Sequence, residues 1–559
     1  MNRLHRRAAA VLAAALALTA AAASAAQAAP ETILQDDAAL LHRGDAGVRA
    51  ALERIRALGV DRVRITAGWS VIAPKPDDAN RPDFDATDPA AYPPANWANL
   101  DRAVRLAHDV GLRVMIDIAF WAPRWATHDD PQASGRLRTE IDPAEYARFA
   151  TAVARRYAGG YVPPAPPAGG GAPPADQRSP DATLLDDLLG RPRDPAPAAP
   201  QAPGPEALPA VDIFTIWNEP NHPGFLMPQW VQRDGAWVPR SPEIYRAMVR
   251  AAYPAIKAAA PGARVLIGGT SSTGSSTPGQ GGVPPLRFLR ALACVDDADR
   301  PIQTGDCAGF TPVPGDGWAH HPYSLRTLPS VQPRNRDDLP VAATPRLASE
   351  LRRLVGLGRL APGNADLWLT EYGYETGPPD PQAPFSPAQQ PGLLAWAEFL
   401  GTRDPAVRSW PQFLLDDRPG DPAGPAMRPF GDWQSGLFTA DGTPKPAAAA
   451  FRTPTFAACV NRGRGRMALL WGRLRAGGEG LARVQARVRA AAWRSVRSAP
   501  RPGVAARAAS VTVDGSGDEL LRFVPWRPGT TYRVRWTAPG GVVDGPAVAP
   551  VGCAAAGAR

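Results

Sequence analysis

The sequence predicts an α/β fold, a (β/α)8 TIM barrel followed by a small all-β, sandwich-like C-terminal domain, and three observations carry that prediction. Val211-Asp-Ile-Phe-Thr-Ile runs as an apolar strand into Trp217-Asn218-Glu219-Pro220, where the pattern stops. Pro220 cannot donate to a sheet ladder and biases the residue before it away from the helical region, so Glu219 stands at the carboxyl end of a buried strand. Ala365-Asp-Leu-Trp-Leu-Thr-Glu371-Tyr-Gly373 repeats the design, with a glutamate delivered just before a glycine-containing loop. Between and around these stretches, strand and helix patterns alternate. Two strand-end glutamates in one alternating chain imply a barrel with paired carboxylates at its mouth.

The elements follow in order. Arg3, Arg6 and Arg7, the apolar run Ala8 to Ala23 and the small-residue site Ala26-Gln27-Ala28 read as an export signal over residues 1–28. A first strand is expected within Ile33 to Leu41, although its pattern is weak. Ala46 to Leu58 is an amphipathic helix, with Val48, Leu52, Ile55 and Leu58 at helical spacing and Gly59 as its stop. Val60 to Thr66 is a strand followed by a loop carrying Trp69. Trp97 to His108 is a helix, and Arg113 to Phe120 a buried strand ending at Trp121 and Trp125. Pro143 to Tyr157 is the next helix.

Gly159 to Pro209 breaks the rhythm. Proline, alanine and glycine dominate it, and only Thr183 to Leu189 has helical character. Such composition buries too little apolar area to offset ordering entropy, which predicts a disordered insertion. It joins a helix to a strand, a connection that lies opposite the active face of such a barrel. The alternation then resumes with a Trp-bearing loop (Trp230, Trp237) and a helix over Pro242 to Ala259. Strands at Arg264 to Gly269 and Gly317 to Tyr323 flank a helix at Leu286 to Cys294. A helix at Pro345 to Leu354 leads to the Glu371 strand, another at Pro391 to Gly401 leads to the last strand, Trp410 to Asp416, and Pro446 to Arg452 closes the barrel domain (29–455). Counting the weak first strand, the strands number eight, as a closed β/α barrel requires. From 456 to 559 the pattern changes to short, partly alternating runs with turn signals such as Asp514-Gly515 and Pro528-Gly529, the mark of a small β-sandwich.

Composition constrains partners. The chain of 559 residues carries a net charge of +9, with lysine only at positions 75, 257 and 445. From Phe456 onward, 17 arginines and no lysine face five acidic residues, a balance of +12 that leaves −3 for the rest. This asymmetry points to weak polyanion or cell-envelope contact through the C-terminal domain, set against a plain compositional bias toward arginine. No nucleic-acid motif is present, and no segment is long and apolar enough to span a membrane. Export permits disulfides. The four cysteines allow three pairings, of which Cys294–Cys307 with Cys459–Cys553 is favoured. No CxxC or histidine-rich spacing suggests a metal site, and no cofactor is implied.

From about Ile33 to Arg452 the chain resembles the retaining glycoside hydrolases of clan A, especially families 39 and 5. Five motifs in order carry the likeness: Val63-Arg64-Ile65, Trp217-Asn218-Glu219-Pro220, His321-Pro322-Tyr323, Thr370-Glu371-Tyr372-Gly373, and Gly436-Leu437-Phe438 with Asp441-Gly442-Thr443-Pro444-Lys445-Pro446. The chain departs from the pattern in its indistinct first strand and its Pro-rich insertion. The resemblance implies a glycosidase whose default substrate is a β-linked poly- or oligosaccharide, with Glu371 as nucleophile and Glu219 as acid/base; the export signal makes it a secreted protein, and a monomer is expected. Asn218 would bind the sugar 2-hydroxyl, Arg64 would keep Glu371 ionised, Tyr323 would hydrogen-bond the same carboxylate, and His321 would contact substrate or Glu219. Trp69, Trp121 and Trp125 follow strand ends, where aromatic rings stack on sugar faces or simply pack. Glu375 is the rival nucleophile, in a loop rather than at a strand end. The alternative reading is a non-catalytic carbohydrate-binding or envelope-attachment protein.

Overall fold

The computed structural model describes residues 29–128, 137–164, 206–419, 433–462, 465–475, 480–496, 510–513, 519–538 and 540–553. Eight parallel strands close into a barrel: β1 (Glu31–Gln35), β2 (Arg62–Gly68), β3 (Arg113–Ala119), β4 (Ile213–Ile216), β5 (Arg264–Thr270), β6 (Gly317–His320), β7 (Leu367–Leu369) and β8 (Val407–Phe413). Each strand pairs with its neighbours in sequence, and β1 pairs with β8 to complete the ring. Helices alternate with them: α1 (Asp45–Ala57), α2 (Pro94–Asp109), α3 (Pro143–Arg156), α4 (Ser241–Ala259), α5 (Pro285–Leu292), α6 (Thr344–Gly356), α7 (Gln390–Gly401) and α8 (Pro446–Arg452). The fold is the (β/α)8 barrel that the alternation predicts.

Strand alternation divides the core in two. Ile33, Met115, Ile213, Leu266, Ala319 and Trp368, one from each of six strands, fill the barrel interior as a separate apolar cluster. The other strand faces join the helices in the main core. In α1 the buried positions are Val48, Ala51, Leu52 and Ile55, spaced for one helical face.

The weak first element resolves into two. Strand β1 ends at Gln35, and Asp36 then caps a short helix, Asp37–Leu41, by accepting from the Ala39 N–H. The expected strand to Leu41 is therefore corrected: an apolar run with a capping aspartate in its middle cannot stay extended throughout. The sixth strand likewise ends at His320 rather than Tyr323, and the Trp230/Trp237 segment is a hairpin, Trp230–Arg233 with Ala236–Pro239. The ends of the Pro-rich segment are tied where α3 meets β4, since the Leu208 N–H donates to Tyr161 O at 2.8 Å. Residues 165–205, with the helical expectation at Thr183 to Leu189, and the export signal at 1–28 lie outside the described residues.

The C-terminal region forms two antiparallel sheets. One joins β9 (Thr455–Arg462), β10 (Gly465–Arg473) and β14 (Glu519–Pro525); the other joins β11 (Gly480–Val488), β12 (Arg494–Ser495), β13 (Ser510–Val513), β15 (Thr530–Ala538) and β16 (Gly541–Asp544). Ala457, Ala468, Leu470, Leu520 and Val524 of the first sheet meet Ala482, Val484, Tyr532, Val534 and Trp536 of the second in one core. The first sheet turns its opposite face to α7, where Phe456 and Trp471 pack on Ala395, Trp396 and Phe399. Arg473 and Arg475 both reach the buried Glu398 of α7, and Arg475 also donates to Thr32 Oγ1 at 3.1 Å. The order is thus barrel, first sheet, second sheet. Both favoured cysteine pairs are joined, Cys294 with Cys307 and Cys459 with Cys553. Among the described residues no helix is long and apolar enough to cross a membrane.

Candidate active site

The backbone at the end of β4 is unusual for side-chain-bearing residues. Trp217 and Glu219 have φ of 62° and 40°, in the left-handed region that most residues avoid. Neighbouring strands hold them there: the Trp217 N–H donates to Ile118 O of β3, and the Glu219 N–H to Gly269 O of β5 at 2.9 Å. Gly269 permits this approach, because a Cβ there would stand 3.2 Å from Trp217 O at a φ of 53°. The result aims Glu219 across the mouth, a local strain of the kind found at functional sites.

Glu371, two residues beyond β7, completes the pair. A carboxylate oxygen of Glu219, one of Glu371 and a ring nitrogen of His321 all lie within 4.8 Å of one another. The Arg64 guanidinium of β2 donates through Nη1 to Glu371 Oε1 at 2.6 Å and through Nη2 to Asn218 Oδ1 at 3.0 Å. Tyr323 donates its hydroxyl to Glu371 Oε2 at 3.2 Å. His321 Nδ1 lies 2.9 Å from Glu219 Oε1, and its Nε2 lies 3.6 Å from Glu371 Oε1. Six residues singled out in the sequence (Arg64, Asn218, Glu219, His321, Tyr323, Glu371) therefore meet at one point. Glu375 is not among them.

Burial sets the electrostatics. It pushes both carboxyls above the ordinary glutamate value; His321 and Arg64 draw Glu371 back, and Glu219 raises it again. Arg64 thus favours the ionised form of Glu371 as expected, but the loss of water is the larger effect. Burial also lowers His321 to about 4, so its imidazole is neutral near pH 7. Burial opposes the charge of Arg64, yet Asp117 and Glu371 together hold it protonated, with Asp117 Oδ2 2.9 Å from its Nη2. Burial lifts Glu375 to about 7, with Asp380 adding to the shift.

The two carboxylates and the histidine are a donor set that a cation could use. They do not fit one well here. Arg64 already brings a fixed positive charge to 2.6 Å from Glu371, and His321 Nδ1 is engaged by Glu219.

The aromatic expectations are corrected. Trp69 is fully buried, stacked on Phe149 at 5.6 Å and edge-on to Trp125 at 6.0 Å. Trp121 is 1 % exposed and donates its indole N–H to Gly224 O. Rings committed to packing on this scale have no face for a sugar; Trp125 is half-buried in the same cluster. The half-buried rings around the site are Trp433, Phe120 and Phe225. Trp433, after β8, sits 5.0 Å from the Tyr323 ring, and Phe120, Phe225 and the exposed His222 form a chain of ring contacts beside Glu219, where His222 draws its carboxyl downward. Gln35, which accepts from Arg64, and Asp117 are further members that the sequence reading missed. Gln35, at the end of β1, and Asp117, a lone acid inside the apolar β3, could have been found as polar residues within apolar strands; nothing in the sequence marks Trp433 or Phe225.

A separate cavity of about 500 Å³ lies by the N-terminal ends of α3 and α4, but Arg240, Glu140 and Glu243 pair with one another across it and neither Glu219 nor Glu371 lines it.

No family model matches the sequence, and no curated protein does. Among solved structures the chain is similar to GH5_18 from Streptomyces cattleya in complex with GlcNAc, at 16 % identity over 76 % of this chain and 79 % of that one, with a TM-score of 0.41. GH5_18 from Bifidobacterium longum subsp. infantis is 15 % identical over 76 % and 78 %, with a TM-score of 0.40. The endo-beta-1,4-mannanase from Thermotoga petrophila is 12 % identical over 94 % and 98 %, with a TM-score of 0.37. At these identities and scores, any chemical conclusion rests on the geometry of the site itself.

Proposed function

We propose that the protein is a secreted retaining glycosidase that hydrolyses O-glycosidic bonds of a β-linked poly- or oligosaccharide, related to clan A families 5 and 39. The observation that carries this reading is the approach of Glu219 and Glu371 to within 4.8 Å, with Arg64 and Tyr323 donating to Glu371 and not to Glu219. Retaining enzymes hold their carboxyls about 5–5.5 Å apart, whereas inverting enzymes leave about 6.5–9.5 Å for a water.

The roles follow from the contacts. Glu371 attacks the anomeric carbon as the bond to the leaving oxygen breaks, and Glu219 gives that oxygen its proton. Glu219 then takes a proton from water, whose oxygen displaces Glu371 from the sugar. Asn218 accepts from Arg64 through Oδ1, which leaves its Nδ2 to donate to a sugar hydroxyl. Arg64 and Tyr323 stabilise the carboxylate that leaves in the second step. In the same reading, residues 1–28 are an export signal, 29–455 the catalytic barrel with an insertion at 159–209, and 456–559 an accessory domain on a monomer.

The test separates the two glutamates. Glu371→Ala should lose activity on every substrate, by about 10⁴-fold or more. Glu219→Ala should still form the glycosyl-enzyme from aryl glycosides with good leaving groups, accumulate it, and regain turnover with azide. The glycosyl azide should retain the substrate's configuration. An inverted azide, a trapped sugar on Glu375, or full activity in both variants overturns the assignment, and no hydrolysis by the wild type across a panel of polysaccharides and aryl glycosides favours the non-catalytic reading.

A further inference from the structure

The arginine excess of the C-terminal region has a definite location. In strands β11 and β15 the side chains alternate between the shared core and solvent. Ala482, Val484, Tyr532, Val534 and Trp536 face the core, so Leu481, Arg483, Gln485, Arg487, Thr531, Arg533, Arg535 and Thr537 share the opposite face, with Val542 and Asp544 of β16 beside them. Among the described residues that face is the outermost layer, because the first sheet lies between it and α7.

Its charge is not balanced in the usual way. Arg483 and Arg535 are directly paired in register. Like charges opposite one another destabilise a sheet, so fold stability does not account for this pairing. Asp544 pairs with Arg535 at 2.6 Å and with Arg533 at 2.8 Å, while Arg483 is exposed and meets no acidic partner among the described residues. Arg487 and Arg533 lie over the Trp493 ring, 4.7 and 4.5 Å from its centroid. Among the described residues, four guanidinium groups stand against one carboxylate, with Gln485 between Arg483 and Arg487 and the Thr531 and Thr537 hydroxyls at the two ends of the β15 row, an array that suits a chain bearing both negative charges and hydroxyls.

We propose that the outer face of the C-terminal sheet, built on Arg483, Arg487, Arg533 and Arg535, docks an anionic polysaccharide. The chemistry of the face favours that partner over the two other common polyanions. Single-stranded nucleic acid binds through stacked bases, and the one tryptophan here is already engaged by two guanidinium groups. An anionic membrane surface is gripped best by basic groups beside apolar rings that insert, and Trp493 is half-buried under its arginines. The barrel contacts of the first sheet involve Pro30 and Thr32, at the start of β1, so the docked face lies away from the strand ends that carry Glu219 and Glu371. A docked enzyme would keep its mouth free. This inference stands apart from the catalytic reading, since it concerns binding alone.

The experiment measures binding of the full-length protein to immobilised polygalacturonate across a salt series. Parallel arms use phosphatidylglycerol vesicles, single-stranded DNA and neutral dextran. The wild type should bind polygalacturonate at low salt, release with added salt and ignore dextran. Arg483→Glu should weaken binding about ten-fold and flatten the salt dependence, because each lost phosphate-like contact removes released counterions. The same variant should melt at the same or a higher temperature, since it converts a like-charge cross-strand pair into an opposite one. The control, Arg300→Glu on the barrel, makes the same change in net charge at an exposed site and should leave binding within about two-fold. No retention of the wild type, equal loss in the control, or tighter binding to DNA or vesicles than to polygalacturonate at the same salt overturns the proposal.

Discussion

His321 is a neutral group near pH 7. It is completely buried, touches Glu219 with one nitrogen and faces Glu371 with the other, so its charged form would be both desolvated and beside Arg64. Its folded value, about 4, lies below the ordinary 6.5 of the unfolded chain. The unfolded state therefore binds more protons between those values. Stability from this group is present above pH 6.5 and is lost as pH falls toward 4, by at most about 3 kcal/mol. Denaturant titrations at pH 7 and pH 5 should show that loss, and His321→Gln should reduce it; an unchanged difference in the variant would place the acid sensitivity elsewhere. The roles proposed for Glu219 and Glu371 predict a second pH effect. Activity falls at low pH as Glu371 takes a proton and at high pH as Glu219 loses one, and burial moves both events above the ordinary glutamate value. With a good-leaving-group substrate, the rate of glycosyl-enzyme formation in Glu219→Gln should lose the alkaline limb and keep the acid one.

At the scale of elements, the sequence carried the barrel well because strand and helix periods differ and every strand but the first has an apolar run. Strand β1 was hard to see because its five residues run straight into Asp36, whose side chain starts a helix. The site was legible wherever a residue's position is fixed by a strand: Arg64 inside β2, Asn218 and Glu219 at the end of β4, His321 and Tyr323 after β6, Glu371 after β7. It was illegible in the loops. An aromatic after a strand end has no periodicity to say which way it turns, so the sequence singles out Trp69 and Trp121, which packing buries, and does not mark Trp433. The Pro-rich segment belongs to the same scale. Its ends are already tied through Tyr161 and Leu208 where α3 meets β4, a helix-to-strand connection opposite the strand ends that carry Glu219 and Glu371. Replacing residues 165–205 by a short Gly/Ser linker should leave turnover within about two-fold. A fall of about ten-fold or more with the melting temperature preserved would mean that the segment reaches the substrate.

At the scale of the whole molecule, the C-terminal sheets are bound to the barrel by more than a linker. Glu398 of α7 is buried and answers to two buried arginines from beyond residue 455, Arg473 and Arg475. Arg475 also donates to Thr32 and to the Phe451 carbonyl, and aromatic rings of α7 stack on Phe456 at 5.0 and 5.7 Å. Removing one partner of a buried ion pair leaves an uncompensated charge and costs about 3–5 kcal/mol. Glu398→Ala strands two guanidinium groups at once, so its cost should lie in that range and its melting temperature should fall with turnover per folded molecule unchanged. The same reasoning applies to the chain as a whole. If the barrel and the C-terminal sheets share this interface, neither can unfold without stranding charges and rings on the other. Calorimetry of the full chain should therefore show a single unfolding transition, and a barrel ending at residue 454 should aggregate or melt well below it. Two separate transitions, or a truncated barrel as stable as the full chain, would mean that Glu398 and its arginines are dispensable and that the two parts are independent modules.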